Sequence, residues 1–326
     1  MLIHKVFAFG FFVVSLLPAQ VVFERADGKI DIQIDGKPFS TFYFGPETTK
    51  PYLHPLRAAD GTIVSRGFPM ERIDGESDDH PHHRGLWFSH GDVNGFDFWL
   101  NEVSQRTERT GAIALQEIRR ADAGRIEAVF AWKAPDGTVV VTEERAMTFH
   151  AGSPNRVVDL DIRLIAGSQA VKFGDTKEGA FALRLATQFE EPRRLKPGEA
   201  AAPEPLPRGG KMRNAEGKVG ESQIWGKPSP WVGYSATIGG KPFGVAFFDH
   251  PQNPKHPTFW HARGYGLFAA NPFGEHDFFA DPSRDGSITV PPGGTLRFRY
   301  RVLIHPGDTA QAKVGELYRA YAQEAR

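Results

Sequence analysis

The chain has 326 residues, 40% of them hydrophobic and 24% charged, which supplies a sizeable core and excludes a disordered polymer. Lys plus Arg and Asp plus Glu balance at 39 each, so there is no broad basic surface to hold nucleic acid or anionic lipid by charge. Cysteine is absent, which excludes disulfides and thiolate metal ligands and leaves stability to the core.

The chain opens with a short segment containing Lys5, an apolar run over residues 6–17, and then Pro18-Ala19-Gln20, with the small Ala19 where a signal peptidase would cut. Residues 1–19 therefore read as a secretory signal peptide, too short to remain as a membrane-spanning helix. The expectation is a secreted or periplasmic protein without an integral membrane span.

From residue 20 onward the sequence alternates in short runs broken by turn residues. Ile30, Ile32 and Ile34 recur at every second position, Asp35-Gly36 turns the chain, and Phe39, Thr41 and Tyr43 continue the rhythm, which predicts a hairpin. Residues 113–118, 126–132, 139–149 and 158–164 predict four strands in a meander, and residues 231–238, 243–248, 265–270 and 296–304 supply the second half. Residues 309–325 have helical spacing, with Val314, Leu317, Tyr318 and Tyr321 on one face. Residues 190–230 are rich in Pro and Gly and lack strand periodicity, so they read as a surface excursion suited to a lid, with a domain linker as the alternative. The predicted fold is all-β and antiparallel, one domain over residues 20–326 with a short C-terminal helix.

Histidines cluster. Of 12 in the chain, His80, His82, His83 and His90 lie in one short segment and His250, His256 and His261 in another, whereas even scattering would place roughly one in the two together. Arg84 adds a fork of donors suited to a carboxylate or vicinal hydroxyls, and Trp87 and Trp99 offer flat apolar faces to a sugar ring. The second segment passes through Pro251, Pro254 and Pro257 before His261 and Arg263, a rigid loop of the kind that presents functional side chains at a sheet edge. Between apolar runs lies Thr176-Lys177-Glu178, where Glu178 is a candidate general base. His54 sits beside a proline-fixed bend, and a lone histidine in that setting is ordinarily a surface loop residue.

The run Asp79-His80-Pro81-His82-His83-Arg84-Gly85, with His90-Gly91-Asp92, Lys177-Glu178-Gly179, Asp249-His250-Pro251, Trp260-His261 and Ala270-Asn271-Pro272, resembles a family of secreted bacterial proteins labelled PmoA-like. The long antiparallel strands are similar to the galactose-mutarotase-like supersandwich, the fold of aldose epimerases, polysaccharide lyase domains and several glycosidase domains. That likeness implies a His acid and a Glu base flanking a sugar on a concave sheet. On this chain it implies His83 or His261 as acid, Glu178 as base, and Arg84 and Arg263 as clamps.

The candidate catalytic residues are thus His83, Glu178 and His261. The candidate substrate contacts are His54, His82, Arg84, Trp87, His90, Asp92, Lys177, His250, Arg263 and Asn271. The leading expectation is a carbohydrate-active enzyme, an epimerase, lyase or hydrolase, that acts on a small-molecule or oligosaccharide substrate and requires no cofactor. Two other readings stay open: a metal-dependent enzyme with His80, His82 and His261 as nitrogen ligands to a divalent ion, and a non-catalytic sugar-binding sandwich. All three need distant imidazoles to meet at one ligand.

Overall fold

The computed structural model describes residues 20–192 and 205–324. The expected signal peptide lies outside them, as do residues 193–204 of the Pro/Gly-rich stretch. Two eight-stranded antiparallel sheets hold most of the strands. The first runs, in spatial order, through Val21–Ala26, Lys29–Ile34, Lys37–Tyr43, Tyr52–His54, Leu86–His90, Gly179–Arg184, Leu267–Asn271 and Phe259–Ala262. The second runs through Lys211–Asn214, Trp231–Ile238, Lys241–Asp249, Thr295–Pro306, Arg156–Ile165, Val139–His150, Arg125–Lys133 and Ala112–Asp122. The expected all-β antiparallel architecture is therefore what forms.

The long strands of the second sheet follow directly from their alternation. In Val139–His150 the buried residues fall at every second position from Val141 to Phe149, so one face enters the core and the other meets solvent. The two sheets meet through aromatic side chains: Phe42 against Phe130 (6.2 Å between ring centres), Phe88 against Trp132 (6.1 Å), Phe181 against Tyr300 (4.7 Å) and Phe268 against Phe247 (4.2 Å). Each such ring, fully buried, stabilises the fold by about 1.5–3 kcal/mol.

The predicted hairpin, between Lys29–Ile34 and Lys37–Tyr43, turns at Asp35 and Gly36, both with positive φ (53° and 73°), the geometry that matches the twist of the flanking strands. A Cβ on Gly36 would meet nothing within 4 Å, so the cost of a side chain there is conformational alone. Gly36→Ala is expected to lower stability by about 1 kcal/mol, read as a shifted urea midpoint.

Beyond this turn the expected rhythm breaks. Ile32 pairs with Ser40 but Gln33 pairs with Pro38, which leaves Phe39 as an extra residue in a β-bulge. A one-residue slip exchanges the faces of a strand. Phe39 and Phe42 both enter the core, whereas Tyr43 turns outward and stacks on Tyr52 at 5.0 Å.

The stretch expected to be irregular over residues 190–230 also contains structure. Lys211–Asn214 pairs with Trp231–Ile238 as the edge of the second sheet and buries Met212, and Glu221–Ile224 forms one helical turn. Four residues are too few for a period-2 pattern to stand out. At the C-terminus, the helix Val314–Ala322 packs Val314 and Tyr321 against Trp231, Ala246, Phe248 and Leu303 on the outside of the second sheet. No helix among the described residues is long and apolar enough to cross a membrane.

Candidate functional site

The outward face of the first sheet, opposite the core, gathers most of the candidate side chains. Strand register aligns Tyr43, Tyr52, Trp87, Ala182, Ala269 and His261 in one row across six strands. At about 4.8 Å per strand, the Trp87 and His261 backbones stand about 14 Å apart with only two alanines between them. Side chains two residues along the same strands share this face: Ser89 on one side of the row, and Arg184, Leu267 and Arg263 on the other. Trp99 covers Trp87 at 5.1 Å between ring centres and completes a small cluster of buried residues with Tyr52, Ala182, Leu267 and Ala269.

The loop before Leu86–His90 brings three imidazoles onto this cluster. His83 lies parallel to Trp87 at 5.4 Å and is covered on its other face by His80 at 4.8 Å, while His82 meets it edge-on at 4.3 Å. Close packing requires Gly85, where φ is 51° and a Cβ would sit 2.1 Å from the Leu53 carbonyl oxygen. His80 also stacks on Tyr265 at 5.5 Å, which ties this loop to the turn after Phe259–Ala262.

Beneath the imidazoles lie two fully buried arginines. Arg184 Nη1 donates to His83 Nδ1 (3.1 Å), and its Nη2 donates to Ser77 Oγ (3.0 Å) and Asp79 Oδ1 (3.2 Å). Arg66 Nη1 donates to the same Asp79 oxygen at 2.7 Å. Partial burial alone would raise the Asp79 carboxyl, but its hydrogen bond to His80 and the charge of Arg184 hold it below the usual carboxylate range. Both the Arg184 and the Arg263 guanidinium lie over the Tyr265 ring, at 4.8 and 5.4 Å.

At the far end of the row, His261 Nδ1 donates to the Lys177 carbonyl (2.7 Å), and its Nε2 is buried with no partner. Lys177 forms an ion pair with Glu178, and Asn271 Nδ2 fixes their loop by donating to the Thr176 carbonyl (2.9 Å). Arg263 pairs with Glu221 at 2.8 Å. Burial lowers the pKa of His261, partly countered by the negative charge of Glu178. Burial, reinforced by Lys50, pushes His82 down to about 3; burial, reinforced by His82 and Arg184, pushes His83 well below its ordinary value.

His82, His83 and Trp87 thus share one sheet face with Lys177, Glu178, His261, Arg263 and Asn271. Tyr265 lies between the two groups, within electrostatic reach of Arg263, Arg184, Glu178 and Asp79.

Other expected contacts lie elsewhere. His90 points to the core side, where its Nε2 donates to the Gly174 carbonyl (2.8 Å) and its ring packs on Phe273 (4.4 Å). Asp92 accepts from the Gly95 amide (2.8 Å) and holds a turn. The Arg84 fork is occupied by Glu102, through two bonds of 2.7 Å, rather than left for substrate. His54 is the exception: two residues along from Tyr52, it shares the outward face, buried near Arg57 and Arg84, and burial first, then those charges, brings it down to about 4. His250 belongs to the second sheet, against Tyr321 at 5.3 Å. His256 pairs with the buried Asp249 at 2.7 Å. Of the histidines in the second segment, His261 alone therefore reaches the outward face of the first sheet, with Arg263 beside it.

Among the described residues no group of three or more His, Asp or Glu side chains is arranged to hold a metal ion. Of the three candidate ligands, His80 is paired with Asp79 (3.0 Å), His82 with Gln105 (3.0 Å), and His261 with the Lys177 carbonyl.

Arg66, Arg184, Ser89 and Tyr265 were not among the sequence candidates. A signal for Arg184 was present: it is the one charged residue in the run from Ala180 to Ala186, and a buried charge inside an apolar strand requires a reason.

Polar atoms on this face that are buried without a hydrogen-bond partner include Trp87 Nε1, Trp99 Nε1, Ser89 Oγ, Arg184 Nε, His54 Nδ1 and His261 Nε2. Each such atom costs about 1–3 kcal/mol, and their concentration in one place is the mark of a ligand-ready surface.

Solved structures similar to the chain are distant. They include an α-galactosidase from Lactobacillus brevis (10% identity, TM-score 0.37, 96% of this chain and 44% of that one). A galactose mutarotase-like protein from Clostridium acetobutylicum matches at 9% identity and TM-score 0.37, over 88% of this chain and 99% of that one. A GalM/aldose epimerase homologue from C. elegans matches at 7% identity and TM-score 0.37, over 89% and 100%. The chain spans less than half the length of the galactosidase. No curated protein sequence matches it. The family that does match carries a different designation from the PmoA-like one: over residues 29–319 the chain belongs to DUF6807, a family of unknown function.

Proposed function

We propose that the outward face of the first sheet is a carbohydrate site at which a proton is removed from a sugar carbon, with His261 Nε2 as the base. One observation carries this reading. A carbonyl oxygen only accepts, so the hydrogen bond to Lys177 fixes the proton of the neutral ring on Nδ1 and leaves a lone pair on the buried, unpartnered Nε2. Burial favours the neutral ring, and the adjacent Glu178 charge favours the imidazolium that forms when the proton arrives.

In this reading the roles differ from those the sequence suggested. His261 is the base rather than the acid, and Glu178, already paired with Lys177, acts through His261. The Trp87 and Trp99 rings are packed against His83 and each other, so what they offer a sugar is their free N–H groups, which suit its oxygens. Proton removal from carbon fits epimerisation or elimination. Export on residues 1–19 belongs to the same proposal, since it would give the site access to external glycans.

The test is incubation of the protein in D₂O with panels of aldoses, ketoses, uronic acids and simple glycosides, followed by ¹H NMR. Loss of one C–H signal to deuterium, or a new olefinic signal, is expected for one class of sugar. Binding without exchange would leave a sugar-binding protein, and neither binding nor exchange across the panel would remove the carbohydrate reading.

A further inference from the structure

We infer that Arg184 locks His83 as a neutral hydrogen-bond donor, and that the substrate of the site proposed above is a sugar carrying a carbonyl group next to the carbon that loses its proton. The inference rests on that site reading but starts from a different contact.

A guanidinium has only donors, so in the 3.1 Å contact between Arg184 Nη1 and His83 Nδ1 the imidazole must accept. The proton of the neutral ring is then on Nε2. A carboxylate partner would impose the opposite tautomer. Neither group is free to turn: the His83 ring lies between Trp87 and His80, and Arg184 is held by Ser77 and Asp79. A buried cation beside Nδ1 also opposes a second proton, the nearby Arg66 charge acts in the same direction, and the rings packed on His83, those of His80, His82, Trp87 and Trp99, are none of them anionic.

The face therefore presents two imidazoles of opposite tautomer, His261 with a lone pair and His83 with an N–H. Of the other nitrogens on it that lack a hydrogen-bond partner, Trp87 Nε1, Trp99 Nε1, Arg184 Nε and Arg263 Nε are donors, and only His54 Nδ1 has a role set by its tautomer. A set of donors that cannot accept suits an oxygen that cannot donate, and one that gains negative charge during reaction suits it best. A carbonyl oxygen meets both conditions. When His261 Nε2 takes the proton from the adjacent carbon, the C–H electron pair becomes a C=C bond and the C=O pair moves onto oxygen, which His83 Nε2–H stabilises. Return of the proton to either face restores the carbonyl, and expulsion of a group from the next carbon completes an elimination. No oxidant or metal is needed for the electrons to balance. Arg184 is in this account a positioning residue.

The first arm of the test is long-range ¹H–¹⁵N NMR of the full chain labelled at its imidazoles, between pH 7.5 and 6. His83 is expected as the Nε2–H tautomer without titration. Arg184→Met should release it to a tautomer mixture titrating near the ordinary imidazole value, and Arg184→Lys should restore the lock. If Arg184→Met fails to fold, the wild-type spectrum still decides: a proton on Nδ1, or titration like a free imidazole, overturns the proposal.

The second arm compares methyl keto-hexopyranosides with methyl glycosides bearing a hydroxyl at the same carbon. At least tenfold tighter binding of a keto compound, with a shifted His83 Nε2–H signal, is expected. Equal binding of both overturns the carbonyl assignment and leaves the site standing, whereas binding of neither counts against the site itself.

Discussion

Replacing His261 by Asn is expected to slow sugar C–H exchange by a factor of about 10² to 10⁴, the usual contribution of a positioned general base. Asparagine can still donate to the Lys177 carbonyl, so the loop should hold and KM should change little while kcat falls. The pH profile gives an independent reading. The base works only when neutral, and its pKa is lowered by burial, so the rate should be flat at neutral pH and fall with acidification through a value below the ordinary 6.5. Removing the charge of Glu178 with Glu178→Gln takes away a contribution that raises this pKa. The acid limb should therefore move further down, and a weaker base should lower the plateau. Exchange that proceeds at the wild-type rate in His261→Asn would remove His261 from the reaction.

What the sequence disclosed and what it hid have physical causes. Strands such as Val139–His150 were legible because one buried and one wet face force a period of two. The bulge at Phe39 was not, because nothing local marks the residue that slips, and its effect on Phe42 and Tyr43 appears only once the strand is paired. At the site, clustering of histidines pointed to His82, His83 and His261, and all three share a sheet face. The same clustering also drew in His90. Alternation along Leu86–His90 already separates it: with Leu86 and Phe88 facing the core and Trp87 outward, His90 follows the core residues. His250 directly follows a strand of the other sheet, Lys241–Asp249, a fact of topology that no local pattern carries. Arg184 was hidden by its apolar neighbours, although its burial is what sets the tautomer of His83.

Acidification from pH 7 to 5 is expected to cost the fold several kcal/mol before carboxylates protonate. His54, His82 and His90 are 5%, 2% and 1% exposed, and burial first of all brings their pKa values to about 4, 3 and 4. Each folded-state value is depressed, so the unfolded chain takes up a proton near pH 6.5 that the folded chain refuses. The stability these groups contribute is complete above 6.5 and is lost progressively as pH falls toward 4. One such group costs about 1.4 kcal/mol per pH unit inside its window, so three give at most about 4 kcal/mol per unit, against a typical total of about 5–15 kcal/mol. The directions for His83 and His261 are the same. Paired carboxylates such as Asp159, which burial would raise but its bonds to Arg301 and His150 hold low, lose their contribution only below about pH 4, so the two windows separate. Urea midpoints followed by circular dichroism at pH 7.5, 6.5, 5.5 and 4.5 should fall steeply across the upper window. His90→Gln, whose amide can still reach the Gly174 carbonyl, should reduce the slope by about one fifth, the share of one histidine among the five. A midpoint that stays level from pH 6.5 to 5 would mean that the imidazoles are hydrated and titrate freely, and the neutral donor and base proposed for the outward face would fall with them.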